Sequence, residues 1–128
     1  MRIFVSSQIV DRWPARDLIA ALRLVGVEVE HSPSNPLDRE DARWEDWYGH
    51  ELVETVDRCD TFVIVIEPGW DSSTWMGIEA GMGVKHGRVF FWNPDGITVK
   101  ARGMTRYLQV ALPQSLDAAV AQLCNSVI

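Results

Sequence analysis

Long apolar runs are missing from this chain. No stretch nears the ~20 apolar residues that a helical membrane span needs, and the first residues lack a signal-peptide pattern. Basic clusters are also missing. Twelve Lys and Arg stand against eighteen Asp and Glu, a formal net charge of −6, and no basic run exceeds two residues. That argues against a general nucleic-acid binder, which needs grouped cations for phosphates. Cysteine is scarce: Cys59 and Cys124 lie far apart, each in apolar surroundings. Two reduced, buried thiols in a cytoplasmic protein are expected. His31, His50 and His86 show no metal-ligand spacing, so no metal site is expected. No GxGxxG or GxxxxGK motif and no Cys-His pair occurs, and no cofactor is called for.

What remains has the balance of a soluble globular protein, 47% hydrophobic and 23% charged over 128 residues. That length suits one domain, spanning 1–128. Six tryptophans are many for so short a chain, and some should line a pocket or an interface. A homodimer or higher homo-oligomer is therefore expected.

Strand and helix patterns alternate along the chain. Ile3-Phe4-Val5 is a short apolar run ending in Ser6-Ser7. A helix follows with Asp11 as N-cap and Pro14 in its first turn, burying Leu18, Ile19, Leu22 and Val25 and ending at Gly26. Residues 27–30 alternate like a strand near a sheet edge. After a Pro/Ser/Asn-rich loop, a helix over 41–58 aligns Trp44, Trp47, Tyr48, Leu52 and Val56 on one face. "TFVIVI", 61–66, is unbroken apolar and β-branched, as in a strand buried on both faces. "RVFFWN" and "YLQVALP" predict two further strands, and Ser115 caps a last helix. The alternation predicts an α/β three-layer sandwich around a mainly parallel five-stranded sheet, flavodoxin-like, in the order 2-1-3-4-5.

Ligands of such sheets bind beyond the carboxyl ends of the strands, here the loops opening at Ser6-Ser7, His31, Glu67-Pro68 and Asn93-Pro94. The third of these runs as "PGWDSSTWMGIEAG", and its helix carries Glu79 among Gly77, Ala80, Gly81 and Gly83. Each helical glycine costs about 1 kcal/mol relative to alanine, so the cluster suggests close approach of a ligand or a helix. A carboxylate on this rim can act as a nucleophile or stabilise a developing cation, as at a sugar's anomeric carbon. It can equally cap its helix, pair with Lys85 or Arg88, or face solvent. Trp70, exposed-looking after Pro-Gly, is a candidate to stack on a ligand ring. Trp44 and Trp47 suit core or dimer contacts, and Trp92 suits the core. Asn93-Pro94-Asp95-Gly96 is a turn and a candidate second ligand loop, with Asn93 as its ligand contact.

The segment from Asp60 through "TFVIVI" and "PGW" to "DSSTWMGIEAGMGVKHGRV" resembles the nucleoside 2-deoxyribosyltransferase-like superfamily. Members carry an aspartate before an apolar strand, a polar loop, then a helix opening with Glu-x-Gly and closing with Gly-Lys/Arg. Asp60, Glu79-Ala80-Gly81 and Gly87-Arg88 match in that order. The resemblance implies that Glu79 is the nucleophile, that Asp71 and Ser73 hold sugar hydroxyls, and that Ser6 and Ser7 help enclose the ligand. It also implies a second acid on the preceding helix, for which Glu51 stands one residue out of register. Bulky Trp75-Met76 before the glutamate and the lack of a glycine-rich first loop depart from the pattern. "SSTWMGIE" is also similar to the Ser-x-Trp-Cys-x-x-Glu helix of Toll/interleukin receptor (TIR) domains, whose catalytic members cleave NAD. The expected functions are thus N-glycosidic cleavage or transfer on a nucleoside or nucleotide, a TIR-like NAD hydrolase or cyclase, or a non-catalytic nucleotide-sensing or signalling module.

Overall fold

A computed structural model describes residues 1–31, 52–70, 89–99 and 110–125. The described strands are β1 (Arg2–Ser6), β2 (Glu28–His31), β3 (Thr61–Val65), β4 (Val89–Trp92) and β5 (Val110–Ala111). The described helices are α1 (Ala15–Leu24), α2 (Leu52–Asp57) and α3 (Leu116–Asn125). All strand pairs are parallel, in the order β2-β1-β3-β4-β5 expected from the alternation.

Every residue of β3 is buried, which is why its sequence cannot alternate. Successive side chains of a strand enter opposite layers, so the sheet separates two cores. Ile3, Val5, Val63, Val65 and Trp92 pack with Leu18, Leu22 and Leu123, placing α1 and α3 on one face. Phe4, Phe62, Ile64 and Ile66 pack with Leu52 and Val56 of α2 on the other. The result is the three-layer α/β sandwich. At the amino ends, Asp60 accepts the Arg2 N–H at 3.0 Å and returns its own N–H to the Arg2 carbonyl at 2.9 Å. Asp60 thereby sets the register in which β3 enters beside β1.

Two expectations for α1 need correction. Its N-cap position is Pro14, without a side-chain cap, and Asp11 lies in the loop before it. Val25 is exposed because the helix has already ended at Leu24. Gly26, at φ +88°, then closes a Schellman turn. Its N–H reaches the Arg23 carbonyl at 3.0 Å, and the Val27 N–H reaches that of Leu22 at 3.1 Å. In α3 the expected cap holds: Ser115 Oγ accepts the Ala118 N–H at 3.2 Å. For the 41–58 helix, the described part buries Leu52 and Val56, while Trp44, Trp47 and Tyr48 lie outside the described residues.

Both cysteines are free, Cys59 buried and Cys124 only half-buried. Burial, and then the charge of Glu30, push the Cys59 thiol up to about 12. Alkylation of the folded protein near pH 8 should therefore modify Cys124 and spare Cys59 until the chain unfolds. Peptide mapping that found equal rates would contradict this placement.

Candidate functional site

The chain runs from β1 outward to β2 on one side and from β3 outward to β4 on the other. The switch in strand order therefore falls between β1 and β3, and open parallel sheets bind ligands beyond the carboxyl ends of their strands at such a point. Ser6 pairs in register with Ile64, so the loops after β1 and β3 begin side by side. Ser6 and Ser7 are both buried there.

Glu67 is the residue at this point that sequence reasoning passed over, although it was placed on the rim. It follows Thr61 and the five apolar residues 62–66 and is only 1% exposed. Its Oε1 accepts the backbone N–H groups of Gln8 at 2.6 Å and Ile9 at 3.2 Å. With its amide nitrogen turned towards them, the Gln8 side chain donates in return to the carbonyls of Pro68 at 3.0 Å and Gly69 at 3.1 Å. Gly69 sits at φ +84°, and a Cβ there would stand 2.8 Å from the Gln8 amide. Two loops almost sixty residues apart in sequence are thus stitched across the switch point. Ser7 Oγ and Glu67 Oε2 are buried with no hydrogen-bond partner among the described residues. An acid ending a long apolar strand was the available signal. Its partners, being remote in sequence, were not.

Burial holds the Glu67 carboxyl above the ordinary glutamate value of 4.5. The Gln8 and Ile9 N–H groups and the charge of Arg12 pull the other way without cancelling it. The folded state therefore binds this proton more tightly than the unfolded chain does. The stabilisation is fully present below the unfolded value and is lost as pH rises through the folded one. Wild type should consequently lose stability relative to Glu67→Gln between about pH 4 and pH 7. Urea unfolding at both pH values checks this, and a pH-independent difference would count against it.

The other anticipated contacts are placed as follows. Trp70 is buried rather than exposed, 2% accessible, among Phe4, Leu52, Ile64 and Ile66. Its backbone N–H donates to the Glu67 carbonyl at 3.0 Å, which folds the Pro-Gly turn back onto the core. The Asn93 amide closes its own turn, donating to the Ile97 carbonyl at 2.7 Å and accepting the Ile97 N–H at 2.9 Å. Trp92 is fully buried, and its Nε1–H reaches the Gln114 carbonyl at 3.0 Å. Trp13, which drew no attention in the sequence, packs edge-on against Trp92 with ring centres 5.6 Å apart. Its Nε1–H lies 3.3 Å from both Asp95 oxygens, linking the loop after β1 to the loop after β4. Glu51, Asp71, Ser73 and Glu79 lie outside the described residues.

No family model matches the sequence, and no curated protein matches it. Among solved structures the chain is similar to a 2-deoxyribosyltransferase from the psychrotolerant bacterium Bacillus psychrosaccharolyticus. That enzyme is described as a biocatalyst for the industrial synthesis of antiviral and antitumoral nucleosides. The TM-score is 0.67 over 91% of this chain and 88% of that one, at 17% identity. The chain has a nucleoside 2-deoxyribosyltransferase-like fold.

Proposed function

We propose that the chain cleaves or transfers the N-glycosidic bond of a nucleoside or nucleotide, with Glu79 as the nucleophile. The observation that carries this is the shared fold over nearly the whole chain. With it goes the place of Glu79 in the sequence, twelve residues beyond Glu67 on the segment leaving the switch point. The Glu79 carboxylate attacks C1′ as the C1′–N bond breaks, and the departing base takes up a proton, for which Glu51 is the candidate donor. The resulting glycosyl ester is then attacked at C1′ by an acceptor base or by water, which returns Glu79 to its carboxylate. Asp71 and Ser73 hold the sugar hydroxyls, and the loop of Ser6 and Ser7 closes beside them. Trp70 packs into the apolar core beneath the switch point, and Asn93 shapes the loop after β4.

A TIR-like hydrolase or cyclase acting on NAD is the second reading, favoured by Trp75 four residues before the glutamate. A non-catalytic nucleotide-sensing module is the third. Incubation with deoxynucleosides, deoxynucleotides and NAD, each with and without an acceptor base, separates them. Base exchange or release supports the leading function, nicotinamide release the second, and binding without turnover the third.

The homodimer inferred from the aromatic helix face belongs to the same proposal, and light scattering should give at least a dimer at micromolar concentration. A monomer would remove it. No described helix is long and apolar enough to cross a membrane. The reduced cysteines favour a cytoplasmic location.

A further inference from the structure

The loops leaving β1 and β3 at the switch point hold two buried polar atoms that nothing described there satisfies, Ser7 Oγ and Glu67 Oε2. Buried hydroxyls and carboxyls are ordinarily hydrogen-bonded, and exceptions call for a cause. Ser7 is 5% exposed and Glu67 1%, so bulk water is no substitute partner. The Glu67 carboxyl is moreover locked in place, because its other oxygen already accepts two backbone N–H groups. The rigid clamp leaves one oxygen with its acceptor capacity unspent. Arg12 acts on this carboxyl only through its charge.

We propose that Glu67 Oε2 and Ser7 Oγ are ligand-recognition groups that receive hydrogen-bond donors from an uncharged part of the bound nucleoside. The donor is a sugar hydroxyl or an exocyclic amino group of the base. This rests on the function proposed above; it adds Glu67, just beyond β3, and gives Ser7, just beyond β1, a polar contact of its own beside the residues of the 71–79 segment. A phosphate is a poor occupant of this point, since it offers acceptor oxygens and negative charge to a carboxylate oxygen. Ser7 can donate or accept, so it adapts to the donor that Glu67 selects.

Glu67→Gln isolates the claim. Glutamine keeps an oxygen for the Gln8 and Ile9 N–H groups and replaces Oε2 with an amide nitrogen of nearly the same size. An acceptor becomes a donor, and the clamp survives. Calorimetric titration of wild type, Glu67→Gln and Ser7→Ala with the four common 2′-deoxynucleosides tests it. Amide NMR signals of Gln8 and Ile9 serve as the control for an intact loop.

A deoxynucleoside that carries the contacted donor should bind Glu67→Gln about tenfold more weakly than wild type or worse, with a smaller loss in Ser7→Ala. Analogues lacking the 3′-hydroxyl, the 5′-hydroxyl or the amino group then identify the donor. The analogue without the contacted group should bind wild type and Glu67→Gln alike. Equal binding of the parent deoxynucleosides to all three proteins would overturn the inference and leave the proposed function standing. Failure of wild type to bind any of the four would overturn this inference, while turnover of a deoxynucleotide in the panel above would leave the proposed function standing.

Discussion

Glu79→Gln should retain the native fold and lose turnover by roughly a thousandfold or more, a barrier increase of several kcal/mol. Glutamine is close in size to glutamate but is neutral and a far weaker nucleophile, so a C1′ ester does not form on it. The loss should fall on kcat with little change in KM, because the missing bond forms only after binding. Asp71→Asn or Ser73→Ala should weaken sugar binding with a smaller loss of rate. If Glu79 only capped its helix or paired with a surface cation, Glu79→Gln would cost about 1 kcal/mol of stability and stay active. Steady-state rates on the substrate that the panel identifies, with urea unfolding alongside, separate these outcomes.

The largest effect on stability is expected at Trp92. Its indole is fully buried between the sheet and the layer of α1 and α3, and it carries the edge-on contact from Trp13. Trp92→Ala should cost about 3–5 kcal/mol, from lost burial plus the cavity left behind. The Gln114 carbonyl would lose its Nε1–H donor as well. Against a typical total of roughly 5–15 kcal/mol, such a change leaves a domain close to its unfolding threshold. Trp92→Phe should recover most of the loss. The same loss should loosen the Trp13 and Asp95 link at the rim, so ligand binding should fall with stability. Urea unfolding followed by circular dichroism gives the value, and a loss below about 1 kcal/mol would contradict the packing described for Trp92.

The architecture was legible because its signals are local and repeated. Five consecutive apolar residues before Glu67 read as a strand buried on both faces, and the alternation of strand and helix leads to a parallel sheet. The rim was legible for the same reason, since strand order fixes where connections part. What sequence reading missed depends on contacts between distant segments. Asp11 offers good capping chemistry, yet α1 starts only after Pro14, and the loop before it is held at Gln8 and Ile9 by Glu67 from beyond β3. Trp70 follows Pro-Gly and looked exposed, but the turn folds it onto Phe4 and Leu52. Glu67 in the sequence marks only the opening of a rim loop, since its bonds to Gln8 and Ile9 join a distant segment. Local chemistry cannot report a partner almost sixty residues away. For Glu79, pattern and resemblance supply the assignment, and its test is chemical.

The most direct measurement is a rapid acid quench of wild type turning over a 2′-deoxynucleoside, followed by peptide mapping by mass spectrometry. A single deoxyribosyl adduct on the peptide containing Glu79, absent from Glu79→Gln, is the result predicted. Turnover with the adduct on another residue, or undiminished turnover in Glu79→Gln, would contradict the assignment of Glu79 as the nucleophile.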